Sequence, residues 1–122
     1  MNLVIGGAYQ GKLTWAVAQY GWKQEELLDL AKAEPQAARC WYHLEEWTWR
    51  KLQAGESAAA LLERLEPVLP EVVISREIGS GVVPMDPRER GWRELHGQVL
   101  RFLAERAKGV TRIFCGLPEV LK

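Results

Sequence analysis

Residues 2–20, NLVIGGAYQGKLTWAVAQY, run from a short apolar stretch through paired glycines into a pattern of helical spacing, and their reading decides the fold. They read as strand, phosphate loop, helix. Gly6 and Gly11 bracket four residues and Lys12 follows at once, so GGAYQGK meets the first seven positions of the GxxxxGK[ST] phosphate-binding motif. Glycines let the backbone take positive φ and turn several N–H groups inward, and the helix that follows aims its partial positive end at the same spot. The candidate phosphate cradle is therefore Gly6, Gly7, Ala8, Tyr9, Gln10 and Gly11, with Lys12 reaching the outer phosphates as a point charge and Leu13 and Thr14 closing the stretch. A plain glycine turn without a ligand is the competing reading.

The eighth motif position fails, because Leu13 offers no hydroxyl to a hard cation such as Mg²⁺. Thr14 comes one residue late, about 100° around the helix. Leu13, Ala16, Val17 and Tyr20 recur at helical spacing, which places Leu13 in a buried stripe. No metal-ligand set is read from the sequence.

The chain has 122 residues, enough for one domain with a real core. Sixteen basic residues offset sixteen acidic ones, so no net field steers it to nucleic acid or an anionic membrane. No apolar run approaches a membrane span and the N-terminus enters a strand without a signal-peptide pattern, so a cytoplasmic protein is expected. Cys40 and Cys115 have neither disulfide-framework nor metal-ligand spacing and read as reduced thiols. Trp41, Trp47 and Trp49 fall within nine residues. Such density suggests an aromatic contact surface for a partner subunit or a flat ligand, with core packing as the plainer alternative.

Further along, the first helix ends at Tyr20 with Gly21 as its cap, and residues 25–31 read as a short strand in preference to a helical turn. Residues 34–38, with Pro35, form a loop. Residues 42–53 look helical and are stopped by Gly55, after which Ser57 caps a helix ending before Pro67. Val72–Ser75 is a β-branched run suited to a strand buried on both faces of a parallel sheet. Asp86, Pro87 and Glu89 hold the N-cap, first-helical and capping-box positions of a long helix that reaches about Lys108, with Trp92, Leu95, Val99 and Phe102 or Leu103 as its apolar stripe. Gly91 and Gly97 inside it predict close packing on a neighbour. Val110–Cys115 is the last strand, closed by Gly116 and Pro118. The alternation predicts a single α/β domain over residues 1–122, three-layered and of the P-loop NTPase kind, with a small, mostly parallel sheet. The phosphate loop, the loop at residues 77–81 and the CGLP turn should gather at the strands' C-terminal edge.

Three stretches then carry a resemblance: GGAYQGK, VVISREIGSGVVPMDPRERGWRELHGQVLRFLAERA and the CGLPEVLK ending. Together they resemble the bifunctional adenosylcobinamide kinase and adenosylcobinamide-phosphate guanylyltransferase family of cobalamin biosynthesis. Its members are P-loop proteins that phosphorylate the aminopropanol hydroxyl of adenosylcobinamide with ATP or GTP, then take GMP from GTP onto a histidine and pass it to the new phosphate. The resemblance implies a nucleotide site with Gly6, Gly7, Gly11 and Lys12 around the phosphates, Glu77 and Gly79 matching the family's Glu and Gly on the adjoining loop, and a homo-oligomer.

The departures concern the same site. The family's middle is longer, and its loss removes the expected position of a metal-binding Asp. Leu13 replaces the Mg²⁺ hydroxyl, and Arg76 stands where the family has Asn beside the Glu. Glu77 reads either as a substitute carboxylate or base, or as a salt-bridged loop residue facing Arg76 or Lys12. His43, Trp47 and Arg50 recur at helical spacing. Because the family's guanylylated histidine also lies between the first helix and the middle segment, beside an arginine-rich helix, the resemblance implies His43 as a candidate nucleophile with Arg50 balancing phosphate charge, against the reading of a half-exposed surface histidine. His96, beside the stripe residue Leu95, reads as a packing or boundary residue.

Overall fold

The computed structural model describes residues 1–8, 10–78 and 86–122. In it the chain runs β1 (Asn2–Gly6), α1 (Lys12–Tyr20), β2 (Leu27–Asp29), β3 (Cys40–Tyr42), α2 (Leu44–Gln53), α3 (Ala58–Leu65), β4 (Val72–Arg76), α4 (Pro87–Arg106), β5 (Gly109–Phe114) and β6 (Leu117–Val120). The strands form one six-stranded sheet in the order β2-β3-β4-β1-β5-β6. Every neighbouring pair is parallel except β5 and β6.

Period-two alternation sorts the side chains of this sheet. Val4, Cys40, Val72, Ile74 and Ile113 meet α1 on one face through Ala16, while Leu3, Val73 and Val110 join the core beneath α2, α3 and α4 on the other. The result is the expected α/β three-layer fold with a mostly parallel sheet. Caps read from the sequence close the helices: Gly21 sits at φ 70° with its N–H on the Val17 carbonyl, Ser57 accepts from the Ala60 N–H, and Asp86 accepts from the Arg88 N–H.

Some expectations change. Trp41 and Trp47 are fully buried, so the tryptophan cluster is core and not a contact surface, and Trp49 packs edge-on against Trp92 at 5.2 Å. The helix read from residue 42 starts at Leu44, because Cys40–Tyr42 pairs with both β2 and β4. The CGLP turn continues into β6, where Pro118 is tolerated because the strand lies at the edge. Gly91 does face a neighbour, with its Cβ position 3.4 Å from a Leu52 methyl, whereas nothing lies within 4 Å of that of Gly97.

Candidate functional site

The C-terminal ends of β1, β3 and β4 open onto a cleft of about 340 Å³. It is lined by residues 8 and 10–14 of the glycine loop and first helical turn, Tyr42 and His43 after β3, Glu45 and Glu46 of α2, and Arg76 of β4. The loop is tied to its surroundings. Gly11 adopts φ 82°, Gln10 accepts the Gly116 N–H on its carbonyl at 3.0 Å, and its side-chain oxygen takes the Cys115 N–H at 2.6 Å. Beside it the Gly6 carbonyl accepts the Glu77 N–H at 2.8 Å. The glycine loop, the start of the segment after β4 and the Cys115–Gly116 turn therefore do meet on one edge. Tyr9 and Gly79 lie outside the described residues.

Lys12 is the first residue of α1 and its ammonium donates to the Gly7 carbonyl at 2.8 Å, curling over the loop. Burial is the main cause that holds its pKa below the usual lysine value; the carboxylates of Glu45 and Glu77 oppose that, and the Arg76 charge adds to it.

His43 precedes α2 instead of lying on it, at φ 60° and ψ 38°. Histidine is one of the few residues other than glycine found there with any frequency, and such conformations collect at functional sites. Its ring Nδ1 lies 2.8 Å from Asp29 Oδ1, and that same oxygen is fixed by the Ala31 N–H at 2.9 Å. The parallel register that sets Asp29 opposite Tyr42 brings the two together. The imidazole is half-exposed, as the surface-histidine reading has it, and it lines the cleft.

Arg50 is not brought to the cleft. Its guanidinium donates to the Leu30 carbonyl at 2.6 Å and the Ala33 carbonyl at 3.2 Å, and pairs with Glu34. The helical face drawn through His43, Trp47 and Arg50 fails because His43 is outside the helix and Trp47 is in the core. Glu77 is salt-bridged, but to Arg112 at 3.2 Å and to neither Arg76 nor Lys12. It borders a second cavity of about 500 Å³ between α4 and the sheet. Glu45 and Arg76 of the cleft wall, and Asp29 behind His43, were given no role by sequence reasoning. Asp29 ends a predicted strand and Glu45 follows His43 by two, but only strand pairing makes either meaningful.

The donor set does not fit a Mg²⁺ held in the manner the family implies. Leu13 packs, partly buried, against the apolar cluster on the α1 face of the sheet, Thr14 is exposed, and the described residues contain no group of three or more His, Cys, Asp or Glu arranged to hold a metal. Cys40 is buried, which pushes its thiol up to about 12, and Cys115 is an exposed free thiol. Among the described residues no helix is long and apolar enough to cross a membrane.

No curated protein matches the sequence. The sequence model of the cobinamide kinase / cobinamide phosphate guanyltransferase family matches residues 39–121, from the start of β3 to just beyond β6, which takes in His43, Glu45 and Arg76 and leaves out the glycine loop. Matched over more than half its length, the chain belongs to the cobinamide kinase / cobinamide phosphate guanyltransferase family.

Proposed function

We propose that this protein performs nucleotide-dependent transfer on adenosylcobinamide in the cytoplasm, as a homo-oligomer: phosphoryl transfer from ATP or GTP, and GMP transfer from GTP by way of His43. One observation carries the reading. Lys12 and His43, whose ring is paired with Asp29, line a single cleft at the edge where α/β sheets bind ligands.

In this reading Asp29 accepts the Nδ1 proton of His43, leaving the Nε2 lone pair outward. Nε2 attacks the α-phosphorus of GTP, an N–P bond forms, the bond to the β-phosphate oxygen breaks and pyrophosphate departs. A phosphate oxygen of the acceptor then attacks the same phosphorus, GMP passes to it, and the N–P electron pair returns to Nε2. Lys12 balances phosphate charge throughout. In the kinase step the acceptor hydroxyl attacks the γ-phosphorus, the bond to the β-phosphate oxygen breaks and the nucleoside diphosphate departs. The hydroxyl proton falls to a carboxylate facing the cleft, where Glu45 and Glu46 are found and Glu77 is not.

Incubation with GTP labelled at the α-phosphate should give an acid-labile protein adduct that adenosylcobinamide phosphate discharges. No label above a His43→Ala control would sink the reading. The observation that Leu13 is packed into the apolar cluster favours a second reading, a relative that holds nucleotide or corrinoid without chemistry. It would bind GTP and give no adduct and no phosphorylated product.

A further inference from the structure

Among the described residues the buried polar side chains are Glu45, Thr48, Ser75 and His96, drawn from α2, β4 and α4. They form one connected network, and it ends on a single residue. Glu45 Oε1 accepts the Arg76 N–H at 2.9 Å. The Arg76 carbonyl accepts from Ser75 Oγ at 3.1 Å and lies 3.2 Å from His96 Nε2. His96 Nε2 also lies 2.9 Å from Ser75 Oγ. His96 Nδ1 lies 2.9 Å from Thr48 Oγ1, which donates to the Glu45 carbonyl at 3.0 Å, and the Trp92 indole N–H reaches Thr48 Oγ1 at 3.0 Å and the Glu45 carbonyl at 3.1 Å.

Buried polar groups are costly unless satisfied, and a fully satisfied network fixes what it holds. Here it fixes both peptide groups of Arg76, the last residue of β4, whose strand register pairs it with Gly6 at the mouth of the phosphate loop. The backbone is clamped while the side chain is exposed and lines the cleft with Lys12. No ion pair among the described residues engages its guanidinium, although Arg39, Arg50, Arg64, Arg106 and Arg112 each have a carboxylate partner. Two cations on one wall repel each other, and the Arg76 charge already weakens the hold of Lys12 on its proton. An anion between them removes that repulsion.

We infer that Arg76 is a phosphate-binding residue of this cleft, a side-chain cation on a clamped backbone that with Lys12 holds the polyphosphate of a nucleotide in place of the metal that Leu13 cannot help to bind. The guanidinium fork matches phosphate oxygens in pairs, which suits it to the task better than a point charge. The inference rests on the proposed nucleotide site and states how that site handles charge.

Binding of GTP and of inorganic tripolyphosphate, each measured calorimetrically with Mg²⁺ and with EDTA, tests it. Wild-type protein should bind both ligands in EDTA within about threefold of the Mg²⁺ value. Arg76→Ala should lose about 10- to 100-fold in EDTA, the scale of one charge-assisted contact, and Arg76→Lys should recover part of the loss. The side chain is exposed and the clamp uses only backbone atoms, so both variants should unfold at the wild-type temperature. Wild-type binding that requires Mg²⁺, or an Arg76→Ala protein that binds like wild type, overturns the role of Arg76 and leaves the nucleotide site standing. No binding under either condition overturns both.

Discussion

His43 Nδ1 lies 2.8 Å from Asp29 Oδ1 across fourteen positions of sequence, and the contact exists because β2 and β3 run parallel with Asp29 opposite Tyr42. A carboxylate in that place fixes the tautomer and supports positive charge on the ring as it reacts. Asp29→Asn should therefore slow formation of the His43–GMP adduct by about 10²- to 10⁴-fold. GTP affinity should change little, because Asp29 touches the histidine and not the loop. Rapid-quench labelling alongside calorimetry separates the two, and an unaltered labelling rate would show that the pair is only structural.

Leu13 is the residue at which the glycine loop departs from the phosphate-binding motif, and its side chain packs, partly buried, against the apolar cluster on the α1 face of the sheet. Leu13→Ser restores a hydroxyl at the first turn of α1 and removes partly buried methyl groups. The variant should lose about 1–2 kcal/mol of stability, less than a fully buried leucine would cost. It should also gain Mg²⁺ dependence, seen as a larger ratio of GTP affinity in Mg²⁺ to that in EDTA than in wild type. A ratio equal to the wild-type one means that the hydroxyl position does not decide metal use.

The loop itself was legible because its signals are local: glycine spacing, a strand before and a helix after. The same holds for β4, a β-branched run, and for the helix begun by Asp86 and Pro87, both of which lie where the residues say. What could not be read was long-range. Three residues, Cys40–Tyr42, carry no pattern of their own and become a strand only by pairing with β2 and β4, and with that strand hidden, His43 looked helical. Arg50 shares a helical spacing with His43, but the carbonyls of Leu30 and Ala33 take it elsewhere. Arg76 showed as a departure from a family pattern, while its clamp, built from three separate elements, left no local trace.

His96 has no solvent exposure, and burial drives its pKa from 6.5 to about 4 despite the hydrogen bond to the Arg76 carbonyl. Between those values the unfolded chain binds a proton that the folded chain does not. The contribution of the neutral ring is thus complete above about pH 6.5 and is lost as pH falls toward 4, amounting to about 3 kcal/mol. Urea unfolding at pH 7 and pH 4.5 should show this slope in wild type and a shallower one in His96→Gln. Equal slopes would mean that the ring is not what titrates.

Gly6 and Gly7 look alike in the motif, yet the structure gives them different work. A Cβ on Gly6 would lie 2.6 Å from the Ile113 carbonyl oxygen, a backbone atom that can retreat only if β1 and β5 part. A Cβ on Gly7 would meet no atom nearer than the Gln10 side chain at 3.6 Å, an ordinary contact. Gly6→Ala should cost about 1–3 kcal/mol, the scale of overpacking in a close-packed interior, whereas Gly7→Ala should unfold near the wild-type midpoint. If Gly7 is also where phosphate oxygens approach the backbone, its alanine variant weakens GTP binding at unchanged stability. Chemical denaturation and calorimetry on the two variants resolve sheet packing from phosphate geometry. Equal destabilisation in both would show that the first glycine is not reserved for the approach of β5.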